Sequence, residues 1–439
     1  MKKILMSAVT LTAIIGAGTT TLSADDGINI FNDIKLKGQI RPRYEYADVD
    51  KATTTSANAF TNRLHLVVTS GLLGVNGLSA TVGLQSVNNF GFTNYNNPGG
   101  TNSNSDGKTY DVIADAQQAM LSEASLDYKI GKTALHAGRS QLNLDNQRFI
   151  GTVGWRQTER SYDTVYVANN DVENLDITAA YVYGFAGVTG VTTTESSSIL
   201  LHVKYKVMDE LTITGYDYML AAGAGPLSFG NDTIGLALTG KIDVGAKLTY
   251  RAEYAVQQDA SMTFRKNDAT ANADRYKADA TYINLDIGAN FSGFLAGINY
   301  EVLSGYDENA ASTTKTQFNP ALGTNHKFNG WADVFYVGNN GANGGLIDTN
   351  IRLGYKTEGF GKLLAVYHDF KAETSMNATV GTTDNLGSEI DVVYTNKVPG
   401  INGLSGLLKF ASYSKGDATS FNNATADKQV AWAQLDYKF

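Results

Sequence analysis

Four arginines lie close together in residues 138–163: Arg139, Arg148, Arg156 and Arg160, with several carboxylates between them. A guanidinium group is planar and pairs with a carboxylate through two parallel hydrogen bonds. Such a segment can therefore bind an acidic sugar or a similar anion. It can equally hold a loop rigid through salt bridges within the protein. Both interpretations stay open for each arginine, and the salt-bridge network is the simpler one.

Other chemistry-bearing motifs do not occur in the chain. The five histidines, His65, His136, His202, His326 and His368, lack metal-ligand spacing such as HExxH. No GxSxG motif or P-loop is present, and the glycine-rich run at 223–230 lacks the helix that a phosphate site needs. The Asn/Asp-rich run at 101–107 lacks Ca²⁺-ligand spacing. We therefore predict no catalytic residue, no metal and no cofactor. Enzymes do occur in β-barrels, so this alternative stays open as a minor one.

Charged side chains alternate with apolar ones along the chain. In residues 246–257, alanine, leucine, tyrosine and valine occupy one side, while Lys247, Arg251 and Glu253 occupy the other. The same alternation occurs in residues 34–46, 201–207 and 431–439. Successive side chains of a strand point to opposite faces, so each segment predicts a strand with one apolar and one wet face. Tyrosines at the strand ends favour an apolar face turned towards lipid.

This alternation predicts which charges line the inside of a barrel. The basic residues assigned to the lumen wall are Lys35, Lys37, Arg41, Arg43, Arg63, Lys204, Lys206, Lys247, Arg251 and Arg352. The acids assigned there are fewer: Glu45, Glu123, Asp127, Asp176, Glu253 and Asp436. Rings of charge set ion selectivity in channels, so the wall indicates a preference for anions. The same charges could also pair with one another and merely solvate the wall, and this alternative stays open.

Residues 1–24 have the pattern of a cleaved signal peptide. Lys2 and Lys3 precede an apolar run from Ile4 to Ile15, and small residues lead to Ala24. The run is too short to span a membrane as a helix, and no later stretch is long enough. Without the two lysines the mature chain, residues 25–439, has 33 basic and 43 acidic residues. This acidic balance argues against nucleic acid as a partner.

Turn residues divide the mature chain into strands. Short joints fall near residues 71–77, 130–133, 169–174, 207–210, 240–243, 290–293, 356–360 and 397–402. Longer polar stretches fall at 49–59, 90–116, 143–160, 187–195, 221–230, 258–274, 305–345, 372–386 and 415–427. Eight turns and nine loops predict a single domain, an antiparallel transmembrane β-barrel of about 18 strands with short periplasmic turns and long extracellular loops. Residues 329–338 also look like a strand, but 19 strands would break the expected even number. We therefore assign Gly330–Val337 to the long loop, folded into the lumen.

Two blocks of the sequence resemble the alginate-export-type outer-membrane porins. They are residues 138–163, and residues 322–335 continued by 344–356, and they cover about 50 residues. The resemblance implies an 18-stranded monomeric barrel whose lumen is constricted by inserted segments. Carried onto matching positions, it nominates as constriction residues Arg139, Asp145, Arg148, Arg156, Arg160, Asp163, His326, Lys327, Trp331 and Asp333. The final strand, which ends in Phe439, resembles the C-terminal signal of Gram-negative barrel proteins that the barrel-assembly machinery reads.

The sequence thus predicts a porin-like channel in the outer membrane of a Gram-negative bacterium. It would pass small hydrophilic solutes, anions among them, by passive diffusion. One alternative is export of an acidic, alginate-like polysaccharide, and a second is a structural or adhesive surface barrel. The partners expected are outer-membrane lipid, lipopolysaccharide, the barrel-assembly machinery and the transported solute.

Overall fold

The computed structural model describes residues 30–97, 108–223, 229–259, 279–305, 317–335, 344–379, 381–419 and 424–439. These residues form β-strands and their connections, with one short 3-10 turn at Asn325–Lys327. No helix among them is long and apolar enough to cross a membrane. The predicted signal peptide and the run at 101–107 lie outside the described residues, so both predictions stay untested.

Eighteen strands follow one another along the chain. They are β1 Phe31–Val49, β2 Ala57–Leu72, β3 Leu78–Asn88, β4 Gln118–Ile130, β5 Thr133–Ser140, β6 Ser161–Asn169, β7 Leu175–Gly187, β8 Gly190–Met208, β9 Leu211–Ala222, β10 Phe229–Asp243, β11 Lys247–Asp259, β12 Asp279–Phe291, β13 Phe294–Leu303, β14 Leu346–Thr357, β15 Gly361–Asn377, β16 Thr382–Lys397, β17 Leu404–Lys415 and β18 Lys428–Lys438.

The sheet closes on itself. Every strand pairs antiparallel with its neighbours in sequence, and β1 also pairs with β18, with Arg43 opposite Gln434. At this junction Phe439 exchanges backbone hydrogen bonds with Gly38, of 2.8 and 3.0 Å. Gly38 is required because the Phe439 ring occupies the space of its missing Cβ. The closed antiparallel barrel of 18 strands confirms the predicted fold, and it leaves no unpaired sheet edge among the strands that the structure describes.

The alternation of side chains sorts the two faces of the wall as predicted. On β1, Ile34 and Leu36 are 51% and 45% exposed on the outer face, whereas Arg41 and Arg43 on the inner face are 5% and 1% exposed. The outer face presents leucine, isoleucine, valine and tyrosine around the barrel. An apolar outer face and a charged inner face are what a barrel in a bilayer requires.

One predicted turn is wrong by a few residues. The turn expected at 240–243 lies at 244–246, and β10 continues to Asp243. Gly240 is a strand residue whose missing side chain makes room for the Tyr250 ring. The turn instead uses Gly245, which has a φ of 87° and donates its N–H to Asp243. The packing of the Tyr250 ring, and not turn geometry, therefore requires glycine at position 240.

Two predicted long loops are mostly strand. Residues 187–195 contain only a tight connection between Gly187 and Gly190, and residues 372–386 contain only the connection between Asn377 and Thr382. These hairpins extend their strands beyond the apolar belt. Both faces are polar there, so alternation no longer distinguishes strand from loop.

Two loops fold into the lumen at the end opposite the short turns. L3 is residues 141–160, between β5 and β6, and L7 is residues 317–335, the described part of the connection between β13 and β14. Phe149 of L3 packs against Tyr216, Tyr282 and Phe318, with ring centroids 5.5, 5.1 and 5.6 Å apart. The buried core of the molecule therefore lies inside the barrel, in its loop half. The assignment of Gly330–Val337 to a lumen-inserted loop holds as far as residue 335, where the described stretch ends.

Candidate functional site in the lumen

L3 and L7 contact each other and form one body, here called the plug (residues 141–160 and 317–335). Ile150 and Leu322 form a parallel β-bridge, and the N–H of Gly151 donates to the carbonyl of Leu322 at 2.9 Å. Gly323 allows this approach, because a Cβ there would lie 2.2 Å from the backbone oxygen of Arg148. The two loops therefore fill the lumen together and not as independent flaps.

A basic stripe on β1 and β2 holds L3. Arg41 donates to the Gln157 side chain at 2.9 Å and to the carbonyl of Gly154 at 3.0 Å. Arg43 donates to the carbonyl of Trp155, and Arg63 forms an ion pair with Glu159. A guanidinium offers five donors, which suits it to collecting the carbonyl groups of an irregular loop. These three wall residues are thus used to anchor the plug.

An acidic stripe on β13–β16 holds L7. The N–H of Trp331 donates to Asp391 at 3.1 Å, and the N–H of Ala332 donates to Glu389 at 2.7 Å. The Asn329 side chain donates to Asp348 at 3.1 Å and also to Glu301. The strands β1 and β2 thus anchor L3 through arginines, and the strands β13, β14 and β16 anchor L7 through carboxylates.

Arg148 joins L3 to L7 and to the acidic stripe. Its Nε lies 2.9 Å from Glu301 Oε1, its Nη2 donates to Asn329 at 2.8 Å, and its guanidinium lies over the Phe328 ring at 4.7 Å. The side chain is only 1% exposed. A buried charge needs such partners, and Arg148 acts as a structural contact within the plug.

Arg156 and Asp333 connect the two loops at the centre of the plug. Arg156 lies 3.0 Å from Glu45 on β1 and 2.8 Å from Asp333 on L7. His326 Nδ1 lies 2.6 Å from Asp333 Oδ1. Burial, together with the positive charges of Lys409 and Arg156, lowers the pKa of His326 to about 3. The imidazole is therefore neutral at pH 7 and donates Nδ1–H to the carboxylate.

All three tryptophans of the chain surround the ammonium group of Lys409. Lys409 Nζ lies 4.0 Å from the ring centroids of Trp155 and Trp331 and 5.0 Å from that of Trp432. It also donates to His326 Nε2 at 2.7 Å. A cation over aromatic faces is stabilised by the ring quadrupoles, most strongly where water is excluded. Lys409 on β17 thereby holds L3, L7 and β18 in one contact.

The remaining nominated plug residues lie at its edges. Asp145 pairs with Arg251 on β11, and Lys327 donates to the carbonyl of Asn146 at 2.9 Å. Arg160 donates to the carbonyls of Leu322 at 2.7 Å and Gly151 at 3.2 Å.

Arg139 and Asp163 are not part of the plug. They form a bidentate pair of 2.6 and 2.7 Å between β5 and β6, on the same strand face as the exposed Leu135 and Val165. Arg139 also reaches Thr193 on β8, at 2.8 Å. The two nominated residues therefore brace the wall beside the point where L3 leaves it.

The ten basic residues assigned to the lumen wall all lie on its inner face, but in two environments. Four of them contact the plug: Arg41, Arg43, Arg63 and Arg251. Five are exposed nearer the short turns: Lys35, Lys37, Lys204, Lys206 and Lys247. The tenth, Arg352, also lies nearer the short turns and pairs with Asp286 at 2.6 Å. The plug consequently narrows the loop half of the lumen, and the wall of the turn half carries exposed basic side chains.

Sequence reasoning missed several residues of the site. They are Asp115, Glu301, Asp348, Glu389, Asp391 and Lys409. Most of them could have been found from the alternation of side chains. They lie on the polar face of strands whose other face is apolar, as Lys409 does between Leu408 and Phe410. The sequence pattern does not show which charged residue of the wall contacts which loop.

A cavity of about 560 Å³ lies over the loop side of the plug. Arg156, Arg160, His326, Asp333 and Lys428 contribute to its lining, together with apolar residues such as Val153 and Val334. In the part of the chain that the structure describes, no group of three or more acids, histidines or cysteines is placed to hold a metal ion. The cavity thus has a lining of mixed charges and apolar side chains.

Comparison with known proteins relates the chain by fold. No protein-family model and no curated protein matches the sequence. Among solved structures it is similar to OccK8 (OprE) of Pseudomonas aeruginosa, with a TM-score of 0.63, 15% identity and 93% and 99% of the two chains covered. It is also similar to OccAB4 of Acinetobacter baumannii, with a TM-score of 0.65, 14% identity and 93% and 98% of the two chains covered. A third similar structure is Pseudomonas aeruginosa OpdK solved with vanillate, with a TM-score of 0.64, 14% identity and 93% and 99% of the two chains covered. These likenesses show the fold of outer-membrane porins.

Proposed function

We propose that this protein is a porin-like channel of the outer membrane that passes small hydrophilic solutes by passive diffusion. The observation that carries the proposal is a closed 18-stranded wall, apolar outside and charged inside, whose lumen is narrowed by a plug of its own loops. A barrel of 16–18 strands encloses an aqueous lumen unless something fills it. The short-turn end would face the periplasm and the loop end the exterior.

The inner surface supports a preference for anions. The open half of the lumen carries exposed lysines, while most of the buried charges of the loop half are engaged in ion pairs and hydrogen bonds. A solute passing the plug would therefore meet exposed positive charge on the turn side. The structure of OpdK with vanillate, a protein of the same fold, supports the idea that such a barrel accommodates a small organic molecule.

The two alternatives are less well supported. Export of an acidic polysaccharide requires a continuous passage for a polymer, and L3 and L7 pack against each other across the lumen. An adhesive barrel would not need a charged lumen. The resemblance to alginate-export-type porins in residues 138–163, 322–335 and 344–356 remains a hypothesis about relationship, and it does not identify the solute. We further propose that the protein acts as a monomer without catalytic activity.

Conductance in a planar bilayer tests this proposal. Purified protein should conduct, and in a salt gradient its reversal potential should show anions passing more readily than cations. A folded barrel that inserts but carries no current would refute the channel. A reversal potential favouring cations would refute the anion preference but not the channel.

A further inference from the structure

Lysines surround the lumen at its short-turn end. Six of them, on six different strands, are Lys37, Lys129, Lys247, Lys356, Lys397 and Lys438. Each is exposed, and each alternates with outward-facing apolar residues, so its side chain points into the lumen. Within the described residues none of the six lies within 4 Å of a carboxylate oxygen. The ion pairs at this end of the barrel are formed by other residues, Lys206 with Asp209 and Arg352 with Asp286. Of the six, only Lys247 lies directly opposite an acid, Asp243, in the register of the sheet. This end of the lumen therefore carries an excess of positive charge.

The charge is densest on three neighbouring strands. In the register of β14 and β15, Lys356 lies directly opposite Lys362. Lys362 in turn lies opposite Thr395 of β16, two residues from Lys397 on the same face. Side chains directly opposite in a sheet have Cβ atoms about 5 Å apart, and diagonal neighbours lie about 7–8 Å apart. Like charges at that spacing destabilise the sheet unless a counter-ion lies between them.

The acids at the same level do not supply that counter-ion. Asp286 is paired with Arg352, and Asp436 accepts both of its hydrogen bonds from Gln39. Glu358 lies on the β14–β15 turn and, within the described chain, forms no ion pair with either lysine. Lys356, Lys362 and Lys397 therefore form a cationic group whose charge must be balanced from solution.

We propose that Lys356, Lys362 and Lys397 form a binding site for multivalent phosphate-type anions that enter the lumen from the short-turn side. Several cations held on a rigid wall attract an anion in proportion to its charge, and a lumen with low-dielectric walls concentrates their field. The side chains point away from the outer face, so a free anion can reach them and a lipid phosphate cannot. The site is a property of the folded barrel and does not depend on ion flow through the plug.

Binding of inorganic tripolyphosphate to the full chain in detergent tests the site. Calorimetry should detect binding that weakens steeply as salt is raised, because salt screens the lysines. The double variant Lys356→Gln/Lys362→Gln should weaken binding about tenfold or more, since it removes two of three charged donors. Lys132→Gln is the matched control, because it removes a lysine from the same end but on an exposed turn outside the lumen. It should bind as the wild type does.

Unchanged tripolyphosphate affinity in the double variant would overturn the proposal, as would an equal loss in Lys132→Gln. If the double variant fails to fold by circular dichroism, Lys362→Gln/Lys397→Gln provides the same test. In a bilayer, tripolyphosphate should reduce the current only from the short-turn side, and an equal block from both sides would contradict the assignment. A barrel that binds tripolyphosphate but carries no current would contradict only the proposed channel function.

Discussion

At the scale of single residues, Lys409 connects both inserted loops to the wall. We predict that Lys409→Met releases the plug, because the ammonium–tryptophan contacts and the hydrogen bond to His326 are lost together. The plugged state should lose roughly 2–4 kcal/mol. All three tryptophans of the chain lie around Lys409, so tryptophan emission reports on this contact alone. Release of the plug should shift the emission towards that of hydrated indole. Single-channel conductance should rise in parallel.

Lys204→Met is the control for this change. Lys204 is an exposed lysine of the same inner wall but lies far from the tryptophans. It should leave tryptophan emission unchanged. An emission spectrum that stays at the wild-type position in Lys409→Met would mean that the contacts of Lys409 with the tryptophans do not hold the plug.

His326 makes the plug sensitive to acid. Its pKa is lowered to about 3 in the folded protein, against 6.5 for an ordinary histidine. The folded state therefore favours the neutral ring, and this stabilisation is complete above pH 6.5 and is lost as the pH falls towards 3. Tryptophan emission and conductance should report plug release over that interval. His326→Gln should show a weaker pH dependence, and an identical pH profile would contradict the role of His326.

Arg139 offers a test of position. Because its guanidinium braces β5, β6 and β8 outside the plug, Arg139→Gln should lower the thermal stability of the barrel and leave the reversal potential unchanged. Truncating one partner of such a charge-assisted pair typically costs about 1–3 kcal/mol. A changed reversal potential would place Arg139 in the ion path, as the sequence resemblance suggested.

At the scale of elements, contact between L3 and L7 depends on Gly323. We predict that Gly323→Val separates the loops, since its Cβ would collide with the backbone oxygen of Arg148. The barrel should stay folded by circular dichroism while conductance increases. Gly215→Val on β9, where a Cβ would meet nothing within 4 Å, is the control and should conduct like the wild type. Equal conductance of Gly323→Val and wild type would show that the loops do not limit the current.

Elements with an apolar and a wet face were predictable from the sequence, and elements without that contrast were not. Residues 246–257 alternate cleanly and lie within β11 apart from the first residue. Residues 192–195 are polar on both faces, and so the sequence pattern predicts a loop there where the structure has a strand. Gly240 suggests a turn in the sequence because its packing partner, Tyr250, lies on another strand.

At the scale of the whole molecule, the closed barrel followed from strand number and alternation, whereas the plug did not. The sequence indicated that L3 is rich in arginine and that Gly330 belongs to an inserted loop. It could not show that cations of β1–β2 anchor L3 or that carboxylates of β13–β16 anchor L7. Those contacts join residues far apart in the sequence, such as Arg41 with Gln157 and Trp331 with Asp391, and only the folded barrel brings them together.

The central claim is that the lumen is a water-filled path restricted by L3 and L7 acting together. Single-channel conductance of the purified protein, measured beside a variant that lacks most of L3, tests it most directly. We predict a small but definite conductance for the wild type and a several-fold larger one for the shortened variant. Absence of current in both, or equal current in both, would contradict the account.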